Sequence, residues 1–368
     1  MTLLTNTLSY KKFIFSFFCC IFLYLSYHIY IYSFYTSKIF NRRDQLYVGD
    51  LGRMSYQVDS LVPRRLKYTL PKRILNATNI NFNIPIDIIT IGDSFSNGGA
   101  GGVNPYYQDY LASKYNLNIL NIVNFTQNQH KLFDAIIALY NNGWLKKHKP
   151  KLIIIESAQR GVYTRFAKNF NFTENKINLN KMIEPAKKED PYLPHLKLIN
   201  TANYKLPFYT IKYKFKHRAQ RDVAKFTLSK NFFSTKNYQH FLLFHFDDVK
   251  DIKNNKKLVI QINENFNYLA NLLHKLDIQL LFLVAPDKYS IYYDYIQNNP
   301  YPKNNFFKLI KPLQKNYLFI DTELLLKNTL AKGVKDLYYS DDTHWSYKAS
   351  DIITNHVIFK KIFKKKSQ

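Results

Sequence analysis

The sequence predicts an α/β fold, a parallel sheet covered by helices on both faces, preceded by one transmembrane helix at the amino terminus. Three observations predict it. Short apolar runs at 86–91, 118–123, 151–155, 279–284 and 317–320 alternate with helical stretches, which is the rhythm of βαβ units. Residues 13–35 contain no Asp, Glu, Lys or Arg. The rhythm lapses between about 165 and 250 and then resumes, marking an insertion.

The amino-terminal run comes first. As a helix, residues 13–35 would reach about 34 Å, enough to cross a bilayer core. Tyr24, Tyr27, Tyr30, Tyr32 and Tyr35 crowd its second half, as in an interfacial aromatic belt. His28 reads as a tolerated polar residue of that half. Residues 33–42 offer no small-x-small cleavage site, so an uncleaved anchor over 1–36 is expected rather than a signal peptide. Lys11 and Lys12 on one side nearly balance Lys38, Arg42 and Arg43 on the other, so charge alone does not orient the segment. Cys19 and Cys20 are the chain's 2 cysteines and lie inside the apolar run; they make neither a disulfide framework nor a metal site. Residues 37–83, basic and punctuated by Pro63 and Pro71, read as a stalk leading to a domain over 84–368.

In that domain the strand 86–91 runs into Gly92-Asp93-Ser94-Phe95-Ser96-Asn97 and then a glycine-rich stretch, 98–102. Helices are expected over 105–115 and 131–141, with strands at 118–123 and 151–155 between and after them. The insertion carries Pro185, Pro191, Pro194 and Pro207 and is expected to hold helices or a hairpin. Its aromatic–basic alternation over 209–216 reads as a half-exposed strand. A helix over 256–275 follows from the spacing of Val259, Ile262, Phe266, Leu269, Leu272 and Leu273. The strand 279–284 leads into Ala285-Pro286-Asp287-Lys288, the strand 317–320 ends at Asp321, and a helix over 346–363 precedes the basic tail Lys364-Lys365-Lys366. That tail reads as a solvated end or a contact for anionic lipid.

The formal net charge is +27. Such an excess implies attraction to something anionic: phospholipid headgroups, acidic polysaccharide or nucleic acid. Neither a basic recognition helix nor zinc-ligand spacing is present, so no nucleic acid is expected as partner.

A polar turn at the carboxyl end of a core strand is where open α/β sheets place ligands. Ser94 stands on one. A serine hydroxyl becomes a nucleophile when a histidine takes its proton and a carboxylate fixes that histidine's tautomer. His344, in Asp341-Asp342-Thr343-His344-Trp345-Ser346 just before the final helix, is the natural base. Asp342 or Asp341 would orient it, and spacing does not choose between them. The Ser94 N–H and one from the glycine stretch, with Gly98 as its first member, would make the oxyanion hole. Arg160 or Lys288 would add positive charge there. The glycine stretch lacks the Gly-Lys-Ser/Thr ending of a nucleotide loop and reads as a lid.

These motifs resemble a known superfamily. Gly92-Asp93-Ser94-Phe95 is similar to the first block of the SGNH/GDSL hydrolases. Asp342-Thr343-His344-Trp345 resembles the signature of a narrower branch, the SGNH-like (DHHW) proteins of alginate acetylation and related polysaccharide O-acetylation. Pro286-Asp287-Lys288, followed by Tyr292, is similar to a Pro-x-Lys element of that branch, and Glu156 and Arg160 to its Glu…Arg pair. The resemblance covers roughly 84–164 and 256–358. It implies a flavodoxin-like three-layer α/β/α fold, periplasmic exposure and serine-dependent handling of acetyl groups, with Ser94 as nucleophile, His344 as base and Asp342 as orienter. Two departures stand out. Serine precedes histidine here, as in ordinary SGNH hydrolases and unlike the alginate proteins, which keeps Asp341, at Asp-x-x-His spacing, as an alternative. Glu156-Ser157-Ala158-Gln159 stands where a Gly-x-Asn-Asp block would supply a side-chain oxyanion donor.

The expected function is a membrane-anchored acyltransferase or esterase acting on O-acetyl groups of cell-envelope polysaccharide, working without metal or cofactor. Its expected setting is the bacterial inner membrane, single-pass, with a periplasmic domain and a multi-span acyl-donor protein as partner. Glu156, Arg160, Lys288, Gly98 and Trp345 are the expected oxyanion or substrate residues. The alternative is a non-catalytic glycan-binding or assembly component with a degenerate site. A metal phosphoesterase built on Asp93, Glu156, Asp341 and Asp342 ranks below both.

Overall fold

Buried β-branched runs form the sheet. The computed structural model describes residues 2–39, 48–57, 69–75, 84–102, 104–122, 131–173, 196–235, 239–250 and 252–363. Strands β1 (Ile88–Ile91), β2 (Ile119–Asn121) and β3 (Leu152–Ala158) come first, an antiparallel pair β4 (Val223–Thr227) and β5 (Phe241–His245) lies in the insertion, and β6 (Gln279–Ala285) and β7 (Leu318–Phe319) follow. The five-stranded main sheet is parallel in the order β2-β1-β3-β6-β7. Strand order therefore reverses at β1, between β2 and β3, and a crevice at the carboxyl ends of the strands is expected there.

Side chains alternate across this sheet. Ile88, Ile154, Leu281 and Leu283 enter one core with Tyr107 and Leu111 of helix α3 and Leu326 and Leu330 of α8. Ile89, Ile153, Leu280 and Phe282 enter the other with Phe133 and Ile136 of α4 and Val259 and Phe266 of α6. Both faces are thus covered, and burying each such side chain is worth about 1.5–3 kcal/mol. The helices are α1 (Thr2–Ile31), α2 (Asp50–Ser55), α3 (Tyr107–Tyr115), α4 (Leu132–Asn141), α5 (Ala202–Lys212), α6 (Lys256–His274), α7 (Lys288–Tyr292), α8 (Thr322–Ala331), α9 (Tyr347–Thr354) and α10 (Val357–Phe363), with shorter turns between. Helix α1 runs into a π-helical turn, Tyr32–Thr36. Ser9–Thr36 is long and apolar enough to cross a membrane, and little of it is buried.

Several expectations change. The alternation at 209–216 is not a strand: residues up to Lys212 belong to α5 and the rest to the turn after it, because Tyr204, Phe208, Ile211 and Phe215 share a helical spacing that overrides the period-two reading. The helix over 346–363 is two. Asn355 N–H still donates to Asp351 O (3.0 Å), but His356 N–H turns to Ile353 O (3.1 Å), a three-residue closure that ends α9 before α10 begins. The stalk is no free tether over its described parts. Helix α2 packs Leu51 against Val223 and Leu243, and Leu75 N–H donates to Ile119 O (2.8 Å), extending the sheet beside β2. The insertion contains both a helix and a strand pair; its Pro185, Pro191 and Pro194, like the tail at 364–366, lie outside the described residues.

Candidate active site

Ser94 follows β1 on a turn that its own backbone closes: Ser96 N–H and Asn97 N–H donate to Asp93 O, and Gly99 N–H to Ser94 O (2.8 Å). Gly92 makes that turn possible, since a Cβ there would stand 2.3 Å from both Glu156 Oε2 and Ser96 Oγ. Glu156, from β3, accepts from Asp93 N–H (3.0 Å), Ser96 N–H (3.2 Å) and Ser96 Oγ–H (2.9 Å). Asp93 accepts from Ala158 N–H (2.8 Å) and pairs with Arg165 at 2.5 Å. Burial pushes the Glu156 carboxyl well above its ordinary range, and the Asp93 charge adds to this. Burial acts on Asp93 in the same direction, but Arg165 and two backbone N–H groups outweigh it and hold it below. The turn therefore rests on two buried carboxyls pushed in opposite directions, Glu156 up and Asp93 down.

His344 reaches this turn from the loop before α9. Its Nε2 lies 2.7 Å from Ser94 Oγ and its Nδ1 2.6 Å from Asp342 Oδ1. An ionised carboxylate only accepts, so Nδ1 carries the proton and Nε2 is free to accept from the serine hydroxyl. Asp342 Oδ1 also accepts from His344 N–H (2.9 Å), which locks the carboxylate to its own loop. Burial pushes the imidazole pKa down; the Asp342 charge and hydrogen bond, helped by Asp50, outweigh this and leave it above its ordinary value. The geometry thus joins Ser94, His344 and Asp342.

Asp341 is not the orienter. It turns away to accept from Gly49 N–H (2.7 Å), while its carbonyl accepts from Gly52 N–H (2.9 Å). Both donors come from the start of α2, which shows what the adjacent acids do: one holds histidine, the other holds the segment that caps the loop. Asp50 of α2 accepts from Thr343 N–H (2.7 Å) and from the Thr343 hydroxyl, and its N–H donates to Asp342 Oδ2 (3.2 Å). Its carboxylate lies 3.9 Å from His344 Nδ1. Nothing in the sequence marked Asp50, whose partners lie 293 positions away.

Lys288 is not an oxyanion donor. It is fully buried, and its ammonium donates to the carbonyls of Tyr339 (2.7 Å), Ser340 (2.9 Å) and Asp342 (3.1 Å). It therefore staples the loop that carries the base. Burial pushes its pKa down to about 7 against the pull of Asp341, Asp342 and Asp50. Trp345 is 2 % exposed, packed edge-on against Phe95 at 4.8 Å and near Tyr107, so it supports the serine turn rather than facing a substrate. Glu156 and Arg160 do not pair among the described contacts: Arg160 spans Asp248 and Asp287, 3.2 Å from each, joining the insertion to the turn before α7. Gly98 lies on the turn beyond Ser94, its carbonyl accepting from Gly101 N–H (2.9 Å). Gly99 comes so close to the base that a Cβ would stand 2.5 Å from His344 Nε2. Gln159, given no role of its own by the sequence, is buried just beyond β3. Its Oε1 accepts from Asp287 N–H (3.0 Å), and its Nε2 is a buried donor without a partner among the described residues.

Among the described residues, Asp50, Asp342 and His344 bring potential metal-ligand atoms within 4.8 Å of one another. Those atoms are already matched within the protein: Nδ1 to Asp342, Asp50 to the Thr343 amide and hydroxyl, and Asp342 Oδ2 to Asp50 N–H. The pairing suits a proton relay better than a cation. Asp93 and Glu156 share the network beneath the serine turn and Asp341 is held by Gly49 N–H, so their carboxyls do not join that group. Comparison of the chain with protein-family models, curated proteins and solved structures returns no match.

Proposed function

We propose that this chain is a membrane-anchored serine acyltransferase or esterase of the SGNH type, acting on O-acetyl groups of cell-envelope polysaccharide. One observation carries the reading: Ser94 Oγ, His344 Nε2, His344 Nδ1 and Asp342 Oδ1 form a continuous hydrogen-bonded relay on the turn that leaves β1, where sheet order reverses. In the proposed reaction Ser94 Oγ attacks the acyl carbonyl carbon while its proton passes to His344 Nε2. The imidazolium, stabilised by Asp342, returns that proton to the departing oxygen as the acyl–oxygen bond breaks. A sugar hydroxyl or water then attacks the acyl-serine, giving its proton to His344, which restores the Ser94 hydroxyl. The oxyanion would be met by the backbone N–H groups of Ser94 and Gly98. Gly99 N–H and Gly101 N–H are already spent on the turn, and Gln159 Nε2 is the candidate side-chain donor.

Ser9–Thr36 would hold the chain in the bacterial inner membrane with the domain in the periplasm, where a multi-span acyl-donor protein would supply the group to be transferred. The net charge of +27 suits an acidic glycan. A second reading, a non-catalytic glycan-binding component, is favoured by Glu156 standing in place of the Gly-x-Asn-Asp block and binding the turn rather than the site. Incubation with an activated acetyl ester separates the two. Mass spectrometry is expected to find acetyl on Ser94 in the native chain and none there in His344→Ala. An unlabelled Ser94, or labelling abolished only by a chelator, would overturn the enzymatic reading.

A further inference from the structure

Helix α5, in the insertion, presents two unlike faces. Ala202, Asn203 and Leu206 are buried against Ile39 and Val48. On the other side Tyr204, Phe208 and Ile211, joined by Phe215 in the turn that follows the helix, recur at helical spacing, exposed to 49 %, 57 %, 57 % and 82 %. Four large apolar side chains in one exposed row are uncommon on a domain that has no partner there. Lys205, Lys212, Lys214 and Lys216 flank the row, with Lys212 Nζ 5.4 Å from the Phe208 ring centre. An apolar stripe edged by lysines is the pattern of a helix lying in a membrane interface.

Its attachment decides what covers it. Pro207 has no N–H to give to the carbonyl of Asn203, four residues earlier. That carbonyl instead accepts from the hydroxyl of Tyr27 on α1 (2.6 Å). His28 Nδ1 and Nε2 contact Asn203 Nδ2 (2.7 Å) and Tyr204 Oη (2.8 Å), and Thr36 Oγ1 donates to Asn203 Oδ1 (2.6 Å). The Tyr27 and Tyr204 rings stack with centres 5.9 Å apart. The start of the exposed stripe is therefore bolted to the last turns of the apolar helix, at the depth where a spanning segment meets headgroups.

We infer that α5 is an interfacial helix, seated on the anionic lipid surface around the anchor with Phe208, Ile211 and Phe215 among the upper acyl chains and its lysines at the headgroup phosphates. The inference rests on the anchor reading, and the two can be tested separately. Phe208→Trp, Phe215→Trp, Phe18→Trp on α1 and Tyr268→Trp on α6 would each be made in the full chain. Each is reconstituted in phosphatidylglycerol–phosphatidylcholine vesicles with and without brominated acyl chains. Trp144 and Trp345 are buried, and the unsubstituted chain supplies their background. Bromolipid is expected to quench the indole at 208 and 215 about twofold, to quench that at 18, and to spare that at 268. Replacing phosphatidylglycerol by phosphatidylcholine is expected to weaken quenching at 208 and 215 but not at 18. Quenching at 18 without quenching at 208 and 215 would overturn the inference while leaving the anchor standing. No quenching at 18 would overturn the anchor. Blue-shifted but unquenched emission at 208 would show that protein covers the stripe, and quenching at 208 and 215 indifferent to phosphatidylglycerol would overturn the anionic surface.

Discussion

At the scale of single residues, the base and its two carboxylates set the pH behaviour. His344 can accept the serine proton only when neutral, and its pKa is raised. Activity toward an activated ester is therefore expected to fall on the acid side with a midpoint above the ordinary histidine value, about 6.5. Asp50→Asn removes a charge that favours the imidazolium while keeping an acceptor for Thr343 N–H. The acid limb of kcat/KM should then move to lower pH; a limb that stays in place would show that Asp50 does not tune the base. The same raised pKa has a stability consequence. His344 contributes stability that is fully present below its unfolded value and is lost as pH rises through the folded one, which urea midpoints across that range would report. Gly99→Ala places a methyl against His344 Nε2. A displaced base is expected to lower kcat by about 100-fold, and because the same Cβ would stand 2.9 Å from Ser94 O the unfolding midpoint is expected to fall as well, measured by ester hydrolysis and thermal melting together.

At the scale of elements, the loop 339–344 is held from two directions: Lys288 at the start of α7 binds three of its carbonyls, and α2 binds Asp341, Asp342 and Thr343. Lys288→Met would leave those carbonyls buried without a donor and is expected to destabilise the fold by about 3–5 kcal/mol. Hydrolysis should be lost although Lys288 does not touch Ser94; unchanged melting and activity would contradict the staple. The main strands were legible because fully buried parallel strands read as apolar runs, and the serine turn because it follows one of them. His344 was legible beside its acids. The division of labour between Asp341 and Asp342 was not, since both lie close enough in sequence to serve and only the distant Gly49 and Gly52 N–H groups draw Asp341 aside. Lys288 was illegible as a support because its partners are backbone carbonyls, which carry no side-chain signature, and Asp50 because Thr343 lies 293 positions away. Helix α5 was misread because its lysines alternate at period two while its aromatics keep helical spacing.

At the scale of the molecule, the charge of +27 and the row of lysines along α5 make long-range attraction part of how the chain meets its surroundings. Association of the protein with an acidic polysaccharide should weaken steeply as salt rises and the screening length contracts from about 10 Å at 0.1 M to 3 Å at 1 M. Co-sedimentation at graded ionic strength would show it, and binding indifferent to salt would point instead to apolar or hydrogen-bonded recognition. Helices α1, α5 and α2 are also linked in series: Tyr27 of α1 meets α5, Tyr209 of α5 stacks on Tyr56 just beyond α2 at 5.6 Å, and Asp50 of α2 meets the histidine loop.

The bond between Asp50 and Thr343 joins residues 293 positions apart, and this has a consequence for biosynthesis. Protein chains emerge amino terminus first. Ser94 and α2 thus leave the ribosome before the loop that each of them meets. Until residue 344 is made, the proposed nucleophile lacks its base and α2 has nothing to hold. On the proposed function, a chain truncated before residue 344 is therefore expected to leave Ser94 unlabelled by an activated acetyl ester.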